Sequence, residues 1–193
     1  MAKHGIAEST KLQGCMNVSF VATEDVDNGS IVANGGLATG YTDVYTASKP
    51  AKTDKVYIVI HPVYGYDERL AAEKNEDNYT NEAGRIFRTY ELKPDRKFKV
   101  SSNMITPATE TKDSVTKDVE LAVGQYVVAN DDYKMAAVTT APTDAKFVGI
   151  IETIEETGFP YFGSSKGVQT SDGMGYALDT RIVKVKIRVI QND

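Results

Sequence analysis

The stretch Arg181-Ile182-Val183-Lys184-Val185-Lys186-Ile187-Arg188-Val189-Ile190 alternates apolar and cationic side chains through most of its length. Successive side chains of a strand point to opposite faces. Val183, Val185, Ile187 and Val189 therefore share one face, and Lys184, Lys186 and Arg188 share the other. This is the pattern of a half-buried antiparallel strand with a cationic outer row, and it puts the chain in the mainly β class.

Upstream of it lie shorter runs of the same kind. Asn17–Ala22 alternates as a first strand. Asp25-Val26-Asp27-Asn28-Gly29 reads as a turn, because Asn and Gly tolerate positive φ. Ile31 to Ala33 is a short strand stopped at Asn34-Gly35-Gly36, and Val56 to Ile60 is a buried strand stopped by His61-Pro62. Arg96 to Ser102 alternates again. Between these, Asp67 to Lys74 favours a short helix, with acids early and Lys late as the helix dipole prefers. Thr80 to Tyr90 fits helix or strand, broken at Gly84. Thr106 to Lys117 is a Thr-rich polar connection, and the turn formers of 158–175 read as an extended loop. Residues 1–17 are small and polar and read as a flexible N-terminal arm. The expected architecture is a small β-barrel or sandwich with a minor helical insertion.

One segment occurs twice. Ser30-Ile31-Val32-Ala33-Asn34 returns as Tyr126-Val127-Val128-Ala129-Asn130, each copy after a glycine (Gly29, Gly124). Each is followed by a second apolar run announced by Thr-Asp: Thr53 to Ile60 and Thr143 to Ile151. Aligning the copies takes one inserted residue near Tyr126 and a shorter turn before Pro142, which faces Pro50. Two divisions of the chain stay open: one β-rich domain over 18–193, or two similar subunits, 18–66 and 118–193, around an insertion at 67–117.

With 193 residues, 41% of them hydrophobic, the chain can bury a substantial core. Lys+Arg 22 against Asp+Glu 27 gives a net charge of −5, which disfavours a general polyanion-binding role. The single cysteine, Cys15, has no internal disulfide partner and reads as a small apolar residue. No signal-peptide core is visible at the start and no run is long enough for a membrane span, so the expectation is synthesis in the cytoplasm without a membrane partner.

No motif here compels a chemistry. His4 and His61 have no zinc-type neighbours. Asp25 to Gly29 resembles the opening of a calcium loop, yet lacks the glutamate such a loop needs at its twelfth place, so it reads as a plain turn. Gly163-Ser-Ser-Lys-Gly167 lacks the spacing and following helix of a phosphate loop. Glu152, Glu155 and Glu156 are acids that could serve a hydrolase, but a solvated strand end explains them. The expectation is no cofactor, no metal and no catalytic residue. Partner-binding residues are better supported. Tyr64, Tyr66, Tyr161, Phe162 and Tyr176 fall in expected loops, and aromatic side chains bury large area at little entropic cost. The row Lys184, Lys186, Arg188 suits either a partner surface or protection of a sheet edge.

Leu121-Ala-Val-Gly-Gln-Tyr-Val-Val-Ala129 followed by Phe147-Val-Gly-Ile-Ile151 resembles segments of small β-rich capsid decoration (cement) proteins of tailed bacteriophages. Asp27 to Val32 with Val56 to Val59 is similar to segments of phage structural proteins. The resemblance covers residues 25–60 and 120–155 and is one of pattern. It implies a non-enzymatic virion protein on the capsid exterior, bound to the major capsid protein, often as a homo-trimer, without nucleic acid. It also implies that the arm, with Ile6 and Leu12 as its apolar anchors, adds a strand to a partner's sheet edge. A tail or head-fibre component and a carbohydrate-binding module using the loop tyrosines are the alternatives.

Overall fold

Short apolar alternations bounded by Gly and Asn turns satisfy their backbone groups most readily by cross-strand pairing, and nearly every such run here is a strand. The fold is seen in a computed structural model, which describes residues 4–9, 11–63, 76–112, 115–157, 160–163, 176–179 and 182–193. The strands of the first half are β1 (Ala7–Glu8), β2 (Asn17–Val21), β3 (Val26–Asp27), β4 (Ile31–Leu37), β5 (Val44–Ser48), β6 (Val56–Val59), β7 (Thr80–Asn81) and β8 (Ile86–Glu91). Those of the second half are β9 (Lys97–Ser101), β10 (Ile105–Thr106), β11 (Thr109–Lys112), β12 (Val115–Asp118) and β13 (Tyr126–Ala129). They continue with β14 (Met135–Val138), β15 (Phe147–Thr157), β16 (Pro160–Gly163), β17 (Tyr176–Asp179) and β18 (Ile182–Asn192). The protein is mainly β, as its sequence predicts.

In the first half the strand order β2-β5-β4-β6-β8 closes on itself, because β8 pairs antiparallel with β2. Only β2 and β5 run parallel. Phe20, Val32, Ala47, Val59 and Phe87 fill this barrel. Thr89, fully buried among them, donates its hydroxyl to the Val18 carbonyl at 2.9 Å, so no polar atom of it is stranded.

The second half repeats this plan. Its sheet has the order β1-β9-β18-β15-β13-β14-β10. Laid flat, the six strands from β9 to β10 would separate those two by about 24 Å at ~4.8 Å per strand. Only the 3₁₀ turn Ser102–Met104 joins β9 to β10, and the four residue steps from Ser101 to Ile105 reach at most about 14 Å. The sheet must therefore curl until its ends meet. The segment 97–106 does the work of β2: antiparallel to β18 through β9, parallel to β14 through β10. The other pairings match as well: β14 beside β13, β13 beside β15 and β15 beside β18, as β5-β4-β6-β8 in the barrel. Extra strands fall at equivalent connections. β3 precedes β4 as β11 and β12 precede β13, and β7 precedes β8 as β16 and β17 precede β18.

The strand pairings thus repeat topologically over 17–91 and 97–192, and β8, β9 and β10, which fall within 67–117, are members of the two main sheets. β8 closes the first barrel and β9 opens the second. The quoted repeat, however, is one residue out of phase with the structural one. Val32 points into the first barrel, whereas Val128 clusters with Ala145 and Val148 on the outside of the second. Its neighbours Val127 and Ala129 face the core instead. A one-residue slip exchanges the two faces of a strand, so the shared Val-Ala-Asn is not an equivalent position.

The halves share one core. Ile31, Val56 and Ile58, on the outer face of β4 and β6, join the cluster of Phe98, Val127, Phe147 and Ile187. Asn192 locks this junction. Its side chain accepts from the Val56 amide at 2.9 Å and donates to the Val56 and Leu92 carbonyls, both at 2.8 Å. The ring of Tyr133, from the β13–β14 turn, packs with the first barrel's core while its carbonyl accepts from the Ile31 amide.

Several local expectations change. Asn34-Gly35-Gly36 does not end a strand: β4 runs to Leu37 through a register shift between Asn34 and Leu37, with Gly36 at φ +101°. Thr80 to Tyr90 resolves as strands β7 and β8 around a turn at Glu82–Arg85, and the 106–117 connection contains the β11–β12 hairpin. The expected helix at 67–74 lies outside the described residues. Among those described, the helical turns Glu76–Asn78 and Ser102–Met104 are single 3₁₀ turns.

Candidate functional site

The N-terminal segment is not a free arm over its described residues. β1 pairs antiparallel with β9, Ala7 opposite Val100 and Glu8 opposite Lys99. The Ile6 amide donates to the Ser101 hydroxyl at 2.9 Å, and the Ile6 carbonyl accepts from the Ser101 amide at 2.9 Å. Ile6 and Leu12, the expected anchors for a partner, are 4% and 3% exposed in this chain's own interior. Asp27 ties the start down, with Oδ1 at 2.9 Å from His4 Nδ1 and Oδ2 accepting from the Gly5 amide. Burial of two aliphatic side chains outweighs the local polarity that makes the segment look disordered.

The cationic row does lie on one face, as the alternation predicts. Val185, Ile187 and Val189 are fully buried behind it. The edge-protection reading does not hold, since β18 sits between β15 and β9. Acidic side chains from β1, β15 and the turn before β9 hold Lys184 and Arg188. Lys184 pairs with Glu8 at 2.5 Å, and Arg188 pairs with Glu152 at 3.0 Å and Asp95 at 3.5 Å. Lys97 and Lys99 of β9 reach Glu152 at 2.8 Å and Glu155 at 2.7 Å. The result is a lattice of both signs laid across β1, β9, β18 and β15.

These contacts fix protonation. The Lys97 hydrogen bond holds the Glu152 carboxyl below the ordinary glutamate value, with Arg188 assisting and burial opposing. The Lys99 hydrogen bond does the same for Glu155, and Lys99 is raised in turn by Glu155. Two carboxyls both held ionised do not supply the raised-pKa acid that glycoside hydrolysis uses.

One row of directly opposed residues shows how this outer face is composed. Val138, Tyr126, Ile150, Arg188 and Lys97 stand side by side on β14, β13, β15, β18 and β9. The face is apolar over β14, β13 and the start of β15, and ionic beyond. The apolar part holds a small cluster of Val128, Val148 and Ala145, with Tyr126, Ala136 and Val138 half-buried around it. Reading β13 through its repeat instead of its two faces hides this patch. The signal that finds it is the run Tyr126-Val-Val-Ala129, apolar on both sides of the strand.

A ribbon leaves the same sheet. β15 and β18 pair as far as Thr157 opposite Ile182, and β16 and β17 pair from Pro160 opposite Asp179 to Gly163 opposite Tyr176. The two described ladders keep the same residue offset, Thr157 opposite Ile182 and Pro160 opposite Asp179. Residues 160–163, within the expected loop of 158–175, are strand, and so are 176–179. Proline is tolerated where a strand's outer edge needs no donor, so Pro160 does not bar a strand, and the Gly and Ser residues of this stretch hide the element. The expected partner residues Tyr161, Phe162 and Tyr176 all occupy register positions on this ribbon. Among the described residues neither β16 nor β17 pairs with a third strand. Tyr64 and Tyr66 lie outside the described residues.

The remaining polar groups serve the fold. The expected turn at Asp25–Gly29 contains strand β3 at Val26–Asp27, with the turn at Asn28–Gly29. Asp25 accepts from the Ala83 amide and the Asn28 amide group bonds both backbone groups of His61. A cleft of about 480 Å³ is lined by Ser9, Ile60, His61, Glu76, Arg88 and Tyr90. His61 Nδ1 accepts from the Arg88 amide at 3.1 Å, and burial, then the Arg88 charge, lowers its pKa below the usual histidine value. Its ring stacks on Tyr79 at 6.4 Å. Among the described residues no group of three or more His, Cys, Asp or Glu side chains could hold a metal ion. No family model matches the chain, and no curated protein matches its sequence.

Proposed function

We propose that this chain is a non-enzymatic structural protein that decorates the outer surface of a phage capsid and stabilises the head. The observation that carries this reading is the ribbon of β16 and β17. It follows β15 and precedes β18 with the same residue offset and keeps both outer edges unpaired among the described residues. An open strand edge accepts an added strand from a neighbouring subunit, where backbone bonds give affinity and flanking side chains give selectivity. The ribbon takes over the role that the sequence suggests for the N-terminal segment, which is docked on its own chain. Three of the expected partner residues lie on it. The doubled barrel behind it supplies a rigid base, so little order has to be created on binding. The pattern resemblance to cement proteins supplies the partner, the major capsid protein.

The test is co-sedimentation with capsid shells, the shells being those whose genes neighbour this one. Wild-type chain should pellet with the shells at a saturating ratio. Phe162→Ala with Tyr161→Asp should stay in the supernatant while melting as the wild type does. Wild-type chain that remains wholly in the supernatant refutes the proposal.

A further inference from the structure

We propose that the outer face of β13, β14 and the start of β15 is a self-association surface, closed by the same face of a second copy of this chain. The argument starts from strands that are apolar on both sides. A strand reads that way when both of its faces are buried. In the first half this holds for β4 and β6: Val32 and Val59 line the barrel, and Ile31, Val56 and Ile58 on the opposite side are fully covered by the second half.

The equivalent strands of the second half, β13 and β15, with β14 beside them, are also apolar on both sides. Val127, Ala129, Met135 and Phe147 face inward. Tyr126, Val128, Ala136, Val138, Val148 and Ile150 face outward, and four of these six stay half-exposed. One fold presenting one apolar outer face thus has it covered in the first half and only part-covered in the second. In the first half the covering body is another unit of the same fold. A second copy is the occupant of matching kind.

Charge favours this occupant too. Directly beyond Ile150 the face passes to Arg188 and Lys97, with Glu152 bridging them at 3.0 and 2.8 Å. A margin carrying both signs is complementary to itself after a two-fold rotation. A strongly acidic or basic partner would leave half of it opposed.

The experiment is sedimentation equilibrium of the full chain over two decades of concentration, with no capsid shells present. Its outcome is therefore separable from that of the capsid test. The wild type should move from the mass of one chain to that of two. Val138→Lys and Ala136→Glu, each placing like charges near the two-fold contact, should raise the dissociation constant by about a hundredfold or more. Leu37→Glu, an exposed apolar residue elsewhere, should leave it unchanged. Amide exchange of the wild type should also slow at 126–128 and 136–138 as concentration rises, a readout that needs no variant. A single-chain mass at every concentration, or a Val138→Lys variant that associates like the wild type, overturns the proposal.

Discussion

Replacing Leu12 by Ala decides whether the N-terminal segment belongs to the core. Leu12 is 3% exposed and shares a cluster with Leu92, Phe98 and Met104, and its backbone is held in a turn by bonds from Leu12 to Ser9 and from Cys15 to Leu12. Truncating a leucine in such a site costs about 2–5 kcal/mol, the transfer energy of the lost methyls plus the cavity they leave. Were the segment a loose arm, the same change would fall within about 0.5 kcal/mol of zero. For a chain of this length each kcal/mol moves the melting temperature by about 2–4 °C, so the expected fall is roughly 4–20 °C. Calorimetry or circular dichroism melts measure it, with Lys11→Ala, an exposed neighbour, as control. Coincident melts for the two variants would refute the packing argument, and with it the claim that the segment is unavailable to a partner.

Other perturbations address other joints. Asn192→Ala leaves the Val56 amide and two carbonyls without their side-chain partner at the junction of the halves, and should cost about 2–4 kcal/mol in a denaturant titration. At Gly149 an added Cβ would sit 2.6 Å from Ile187 and 2.8 Å from Val127, both core side chains, so Gly149→Ala should destabilise by about 1–3 kcal/mol through overpacking. Gly124 has open space around it but a φ of +91°, so Gly124→Ala tests backbone strain alone, with an expected loss of about 1–2 kcal/mol. The folded pKa of Glu152 lies below its unfolded value, so the stability it contributes is complete above the ordinary value of 4.5 and is lost as pH falls towards the folded pKa. Melting temperature should therefore fall more steeply on acidification in the wild type than in Glu152→Gln. Parallel curves would remove this carboxylate from the account.

The sequence makes strand content legible wherever one face is apolar and the other charged, as along 182–190, because period two then has one reading. It is less informative where both faces are apolar. In Tyr126-Val-Val-Ala129 the alternation carries no sign of which side is inward, and the tripeptide shared with the first half lines up strands that face opposite ways. Residues 44–48, Val-Tyr-Thr-Ala-Ser, carry too little apolar contrast to announce the strand that completes the first barrel. The N-terminal segment misleads for a different reason: its two anchors are six residues apart in a polar context, and only the cavity waiting for them gives them meaning. Within the candidate surface, the cationic row was readable from β18 alone. Its acidic partners come from residues 8, 95 and 152, which the fold brings together and sequence distance conceals.

The position of β18 in its sheet has a consequence for how the chain is made. The first barrel is complete once residue 91 has emerged from the ribosome, and it can close while synthesis continues. The second cannot close until β18, which fills the slot between β15 and β9, has followed the other strands of its sheet. Until β18 emerges, the slot between β9 and β15 stands open and the outer face of β4 and β6 is incompletely covered. The nascent chain is therefore most prone to aggregate in the interval before β18 emerges, and loss of residues 182–193 would leave a folded first half bearing an apolar flank.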